Sequence, residues 1–220
     1  NNRYGFGYNT TDRRAYRQFT SLRIGIIIPE YEEYRHHMSL EPAIVKAWDA
    51  ISGVNLITNT SVQFLGDEFV VDVNDKKILM LPHKTPADDC LIVLILHYLA
   101  QKITGLPVPT GEWLSLTGLS LVLGFAEVFK KRAIDMIVRK FGSDPDGIYK
   151  VLEKTPGQKV NQADAAITLE AFEGIPVLIE LWQADEEYGP EGNILFDKNI
   201  TQIFCTEDIL VFSEVVARTI

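Results

Sequence analysis

The chain has little cysteine, no surplus of positive charge and no long apolar run, and each shortage removes a class of protein. Cysteine occurs only at positions 90 and 205. Neither belongs to a C-x-x-C pair, so these residues hold no zinc or iron–sulfur ligand pattern. Cys90 opens an apolar run and reads as a small buried hydrophobe. Such sparse use suits a reducing compartment. The 30 acidic side chains outnumber 21 basic ones, for a formal net charge of −9. That balance speaks against sequence-independent binding to nucleic-acid phosphates and against docking on an anionic membrane. The longest apolar run is Cys90 to Leu96, whereas a membrane span takes about 20 residues. No secretory leader pattern opens the chain, and a cytoplasmic location is expected. Three familiar motifs are also missing: G-x-x-x-x-G-K-[ST], G-x-S-x-G and H-E-x-x-H. Gly5-Phe6-Gly7 lacks the third glycine of a dinucleotide loop.

What is present is the make-up of an ordinary globular protein, 46% apolar and 23% charged. Residues 1–40 stand apart. Aromatics and arginines alternate there (Arg3, Tyr4, Phe6, Tyr8, Arg13, Arg14, Tyr16, Arg17). A short helix over 13–20 and a strand over 22–28 are expected in that stretch, which reads as an arm that packs on the main domain or on a second subunit. From Ser39 the pattern becomes regular. Ala43, Ala47, Trp48 and Ile51 share one helical face, and Gly53 stops the helix. Short strands are expected at 54–58, 62–65, 68–73 and 78–81, with a turn at Gly66-Asp67. Thr85-Pro86 is expected to start a helix that runs to about Ile103 and stops at Gly105. A strand follows at 112–116, then a long helix over 124–141 whose second half is crowded with cations. Ser143-Asp144-Pro145 starts another short helix. The last third reads as strands at 165–172, 176–182 and 193–197 and a final helix from Thr206 to about Arg218. Strands and helices come in separate runs. The expected class is α+β: a mostly antiparallel sheet packed against two long helices, in a single domain over 41–220.

Acids gather in WQADEEYGPEGNILFD, residues 182–197, as Asp185, Glu186, Glu187 and Glu191, with Asp197 close behind. The loop admits a cation site, a solvated turn, or a partner for Arg132, which interrupts an apolar helix face. Its spacing is not that of an EF-hand, since the sixth position is Pro190 and the twelfth Phe196, and no metal is assigned. His97 sits inside the most apolar helix and reads as a satisfied core histidine or an acid–base group. Glu112 beside Trp113 is a carboxylate that an aromatic could desolvate. Glu207 and Asp208 form a second acidic group at the start of the last helix. Glu112, Asp185, Glu187, His97 and Arg132 would constitute a composite carboxylate site if the fold gathered them in one cleft.

Several stretches resemble a known family: FLG (64–66), LILHYL (94–99), GEWLSL (111–116), FKKRAI (129–134), ADAAITLEAF (163–172), IPVLIELWQADEEYGPEGNILFD (175–197) and CTEDILVFSEVVAR (205–218). Residues 41–220 are similar to the prokaryotic domain of unknown function 3786. The resemblance implies no established activity and no named cofactor. It places relatives in anaerobic bacteria and archaea, some with an added four-cysteine domain of the iron–sulfur type seen in corrinoid methyl-transfer proteins. This chain departs from those, having only Cys90 and Cys205. The implied role is an accessory or ligand-binding protein of anaerobic one-carbon or redox metabolism, partnered by an iron–sulfur or corrinoid protein. Two alternatives stay open: an enzyme using the carboxylate cluster, and a structural protein that forms homo-oligomers through residues 1–40.

Overall fold

The structure is a computed structural model that describes residues 40–52, 59–116, 118–119 and 126–220. The expected arm, with its helix at 13–20 and strand at 22–28, and the expected strand at 54–58 lie outside the described residues. Helix α1 (Glu41–Ser52) buries Ala47, Trp48 and Ile51 along one face. Strands β1 (Asn59–Phe64), β2 (Asp67–Asp72), β3 (Lys77–Met80) and β4 (Thr85–Pro86) then form a four-stranded antiparallel meander in sequential order. The β1–β2 hairpin turns on Leu65 and Gly66, one residue earlier than expected. Both have positive φ, 49° and 92°, the geometry whose twist matches the flanking strands. Gly66 is required twice over, because a Cβ there would lie 2.2 Å from the carbonyl oxygen of Lys154.

Helix α2 (Asp89–Thr104) starts later than the sequence suggests. Thr85 and Pro86 pair with Met80 and Leu79 as an edge strand, a place where proline's missing N–H is tolerated. The cap is Asp88, whose carboxylate accepts from Leu91 N at 3.1 Å. The expected long helix at 124–141 is two α segments, α3 (Ala126–Phe129) and α4 (Asp135–Phe141), joined by a π-helical turn over Lys130–Ile134. A 3₁₀ stretch, Pro145–Glu153, leads into the second sheet.

That sheet has five antiparallel strands in the order β5-β9-β8-β7-β6: β5 (Trp113–Leu114), β6 (Gly157–Val160), β7 (Ala165–Phe172), β8 (Ile175–Trp182) and β9 (Glu191–Asp197). Helix α5 (Thr206–Thr219) closes the fold. The α+β class holds, with two antiparallel sheets where one was expected.

One face of the five-stranded sheet carries the main core. Alternation along β7 and β8 points Ile167, Leu169, Val177 and Ile179 into this core, which also takes in the buried faces of α2 and α5. The centre of that core is aromatic. Tyr98 stacks on Phe172 at 4.5 Å, and Phe212 lies 5.5 to 6.4 Å from Phe64, Phe172, Phe196 and Phe204. Full burial of each such ring is worth roughly 1.5–3 kcal/mol. The meander is pinned to the sheet by Leu65 N donating to Ala171 O at 2.9 Å and Thr155 Oγ1 donating to Leu65 O at 3.0 Å.

Candidate functional site

Strand register decides how the expected residues are distributed. Trp113 stands opposite Asp197 at one end of β9, and Trp182 stands opposite Glu191 at the other. Those ends are roughly 20 Å apart at the usual strand rise. Glu112, beside Trp113, is therefore far from Asp185, Glu186 and Glu187, which lie in the loop beyond Trp182. The composite carboxylate site does not assemble.

Most of the expected residues have local work instead. Asp185 folds its own turn: its Oδ1 accepts from Glu187 N at 3.0 Å and from Tyr188 N at 2.8 Å. Glu186 and Glu187 are exposed beside it. Glu112 pairs on the surface with Lys198 at 2.7 Å. Arg132, in the π turn, meets Glu214 of α5 at 3.5 Å. Asp197 accepts from the backbone N–H groups of Thr110 (2.6 Å), Gly111 (2.7 Å) and Asn199 (3.0 Å) and from the Thr110 hydroxyl. It ties the 107–111 bend to the end of the sheet. His97 and Asp208 are brought together, with Nδ1 2.8 Å from Oδ2. The same Asp208 oxygen accepts from Cys205 N at 3.4 Å, the reciprocal half of an α5 capping box, while Glu207 is exposed in the first turn. Arg218 and Asp88 close the other end of this α2–α5 seam at 2.6 Å. Among the described residues, no group of three or more His, Cys, Asp or Glu is placed to hold a metal.

The second face of the five-stranded sheet is chemically different. Ala166, Glu180 and Asn193 stand side by side on β7, β8 and β9, and Thr168, Leu178 and Leu195 form the next row. Ala166, Leu178 and Leu195 make a small apolar cluster of their own, with Trp113, Val160 and Ala163 packed against it. Glu180 is 0% exposed. Neither of its carboxylate oxygens has a hydrogen-bond partner. Burial pushes its pKa up to about 7, and Asn193, directly across on β9, offsets only part of that without reaching hydrogen-bonding geometry. Trp182 stands two residues on, its side chain on the same face. Two rows the other way, an open cleft of about 340 Å³ is lined by Thr168, Glu170 and Pro176.

A family model described as a domain of unknown function, DUF3786, matches residues 48–219. The chain belongs to the DUF3786 family. No curated protein and no solved structure matches it. The matched span starts inside α1 and ends in α5, so the DUF3786 domain comprises both sheets and the core between them. In this DUF3786 chain Glu180 is a residue that the sequence does not single out. It sits in VLIELW, a run that reads as a largely apolar strand. The signal that could have found it is period two: Val177, Ile179 and Leu181 fill the core face, which leaves Leu178, Glu180 and Trp182 to a second face that is also apolar. An acid amid such residues needs a partner.

Proposed function

We propose that this DUF3786 chain is a non-catalytic accessory protein that binds a small ligand on the second face of its five-stranded sheet. One observation carries the reading: Glu180 is a fully buried carboxyl with two unpartnered oxygens, set in an apolar row beside Trp182. Buried ionisable groups without partners are rare away from sites that use them. The enzyme alternative has less support, because its carboxylates are spread to opposite ends of β9 and engaged in turns, caps and surface pairs. The metabolic setting, anaerobic one-carbon or redox chemistry in the cytoplasm beside an iron–sulfur or corrinoid protein, rests on the resemblance of residues 41–220 to relatives from anaerobes. Protein isolated anaerobically from its native host should release about one equivalent of a small molecule on denaturation, read by mass spectrometry. It should also co-purify with a redox or methyl-transfer protein. A preparation that carries neither overturns the proposal.

A further inference from the structure

The chemistry of the second face limits what can bind there. The other acids facing it are Glu191 and Asp197 from β9, Glu170 from β7 and Asp164 from the β6–β7 loop. Among the described residues, no lysine or arginine stands on this face. Asp197 and Asp164 already accept main-chain hydrogen bonds, whereas Glu180 offers both oxygens of one planar fork unpartnered. A single ammonium meets a carboxylate as a point charge, with no fixed pair of donors to match the planar fork. A hard metal ion takes six or more oxygen ligands, and no described cluster supplies even three. A planar cation with two parallel N–H donors satisfies both oxygens and neutralises the charge at once. The neighbouring Leu178, Leu195 and Trp182 are apolar but only 1%, 1% and 7% exposed, so an apolar or aromatic body seated there displaces what lies over the face. The cleft at Pro176 begins four residues along β8 from Glu180, about 13 Å at the usual rise.

We propose that Glu180 receives the guanidinium or amidinium head of a small ligand whose apolar body lies across Leu178 and Leu195. This rests on the ligand-binding reading of that face and adds the ligand's class. The planar head donates one N–H to each Glu180 oxygen. Binding therefore requires the ionised carboxylate and displaces the proton held below the carboxyl's own midpoint of about 7.

Calorimetric titration of the full chain with benzamidine, an aromatic amidinium, tests this. Binding is expected at pH 8, about tenfold weaker at pH 6 as the carboxyl is protonated, and absent in Glu180→Gln. A cooperative melt of that variant shows that it is folded. The tenfold ratio should survive in Glu191→Gln. Equal binding by wild type and Glu180→Gln, or binding independent of pH, overturns the proposal. Binding that emerges only after Arg13, Arg14 and Arg17 are changed to Gln also overturns it, assigning the guanidinium to the chain's own residues 1–39. If benzamidine binds none of these proteins, the ligand class fails. The broader reading still stands in that case if protein from the native host carries a small molecule that Glu180→Gln lacks.

Discussion

Asp197 and Glu180 are two buried carboxylates on the same sheet face, and they are treated in opposite ways. Asp197, 5% exposed at the end of β9, accepts three backbone N–H groups and a hydroxyl. Glu180, 0% exposed in mid-strand, accepts none. The difference is one of position. A strand end is followed by a bend whose N–H groups are free to turn inward, as at Thr110, Gly111 and Asn199. In mid-strand the neighbouring N–H groups are already committed to the ladder, so a side chain there depends on whatever lies over the face. Burial alone thus does not single out an acid; burial without donors does.

Removing the donors' partner should have the largest effect. Asp197→Ala orphans three backbone N–H groups, and chemical denaturation should show a loss of about 3 kcal/mol or more. Glu180→Gln should act in the opposite direction. The folded carboxyl binds its proton more tightly than the unfolded one, whose usual value is 4.5. Between pH 4.5 and 7 the unfolded chain ionises first, so wild-type stability falls as pH rises, and above 7 the deficit stays constant. At pH 8 the isosteric neutral variant should be more stable by up to about 3 kcal/mol. Its melting temperature should lose the downward slope across that window. A Glu180→Gln protein less stable than wild type at pH 8 would erase the contrast between the two acids.

Smaller changes sharpen the comparison. Asp208→Ala removes both the α5 cap and the partner of His97, and a cost of about 1–2 kcal/mol is expected by thermal melting. A neutral result would mean that the α2–α5 seam does not depend on the His97–Asp208 pair. Glu112→Gln breaks an exposed pair with Lys198 and should change stability by no more than about 0.5 kcal/mol. A larger loss would show that the β5 edge depends on that ion pair.

Much of the scaffold was legible in the chain. Alternation in AAITLEAF marked β7, the apolar run PVLIELW marked β8, and the acids at 207–208 marked the start of α5. The Lys130–Ile134 π turn was not legible, because FKKRAI carries a helical pattern and only packing beside α5 distinguishes a widened turn from a regular one. Strand β6, GQKV, has no apolar alternation and exists because β7 offers it a ladder. For the site, the sequence marked Trp113 and Asp197 but grouped Asp197 with the acids of the 185–191 loop, since register across β9 cannot be read from spacing. Glu180 went unmarked because one acid in an apolar run looks like a solvent-facing position until the second face proves to be covered.

Local pattern and composition, by themselves, determined the α+β class, most of the helices and the long strands. Those features depend on periodicity, caps and apolar content, all of them properties of neighbouring residues. Only the tertiary structure decided which acids meet a donor and which are left without one. Desolvation and hydrogen bonding are set by groups far away in the chain, brought within about 3 Å by strand register and helix packing.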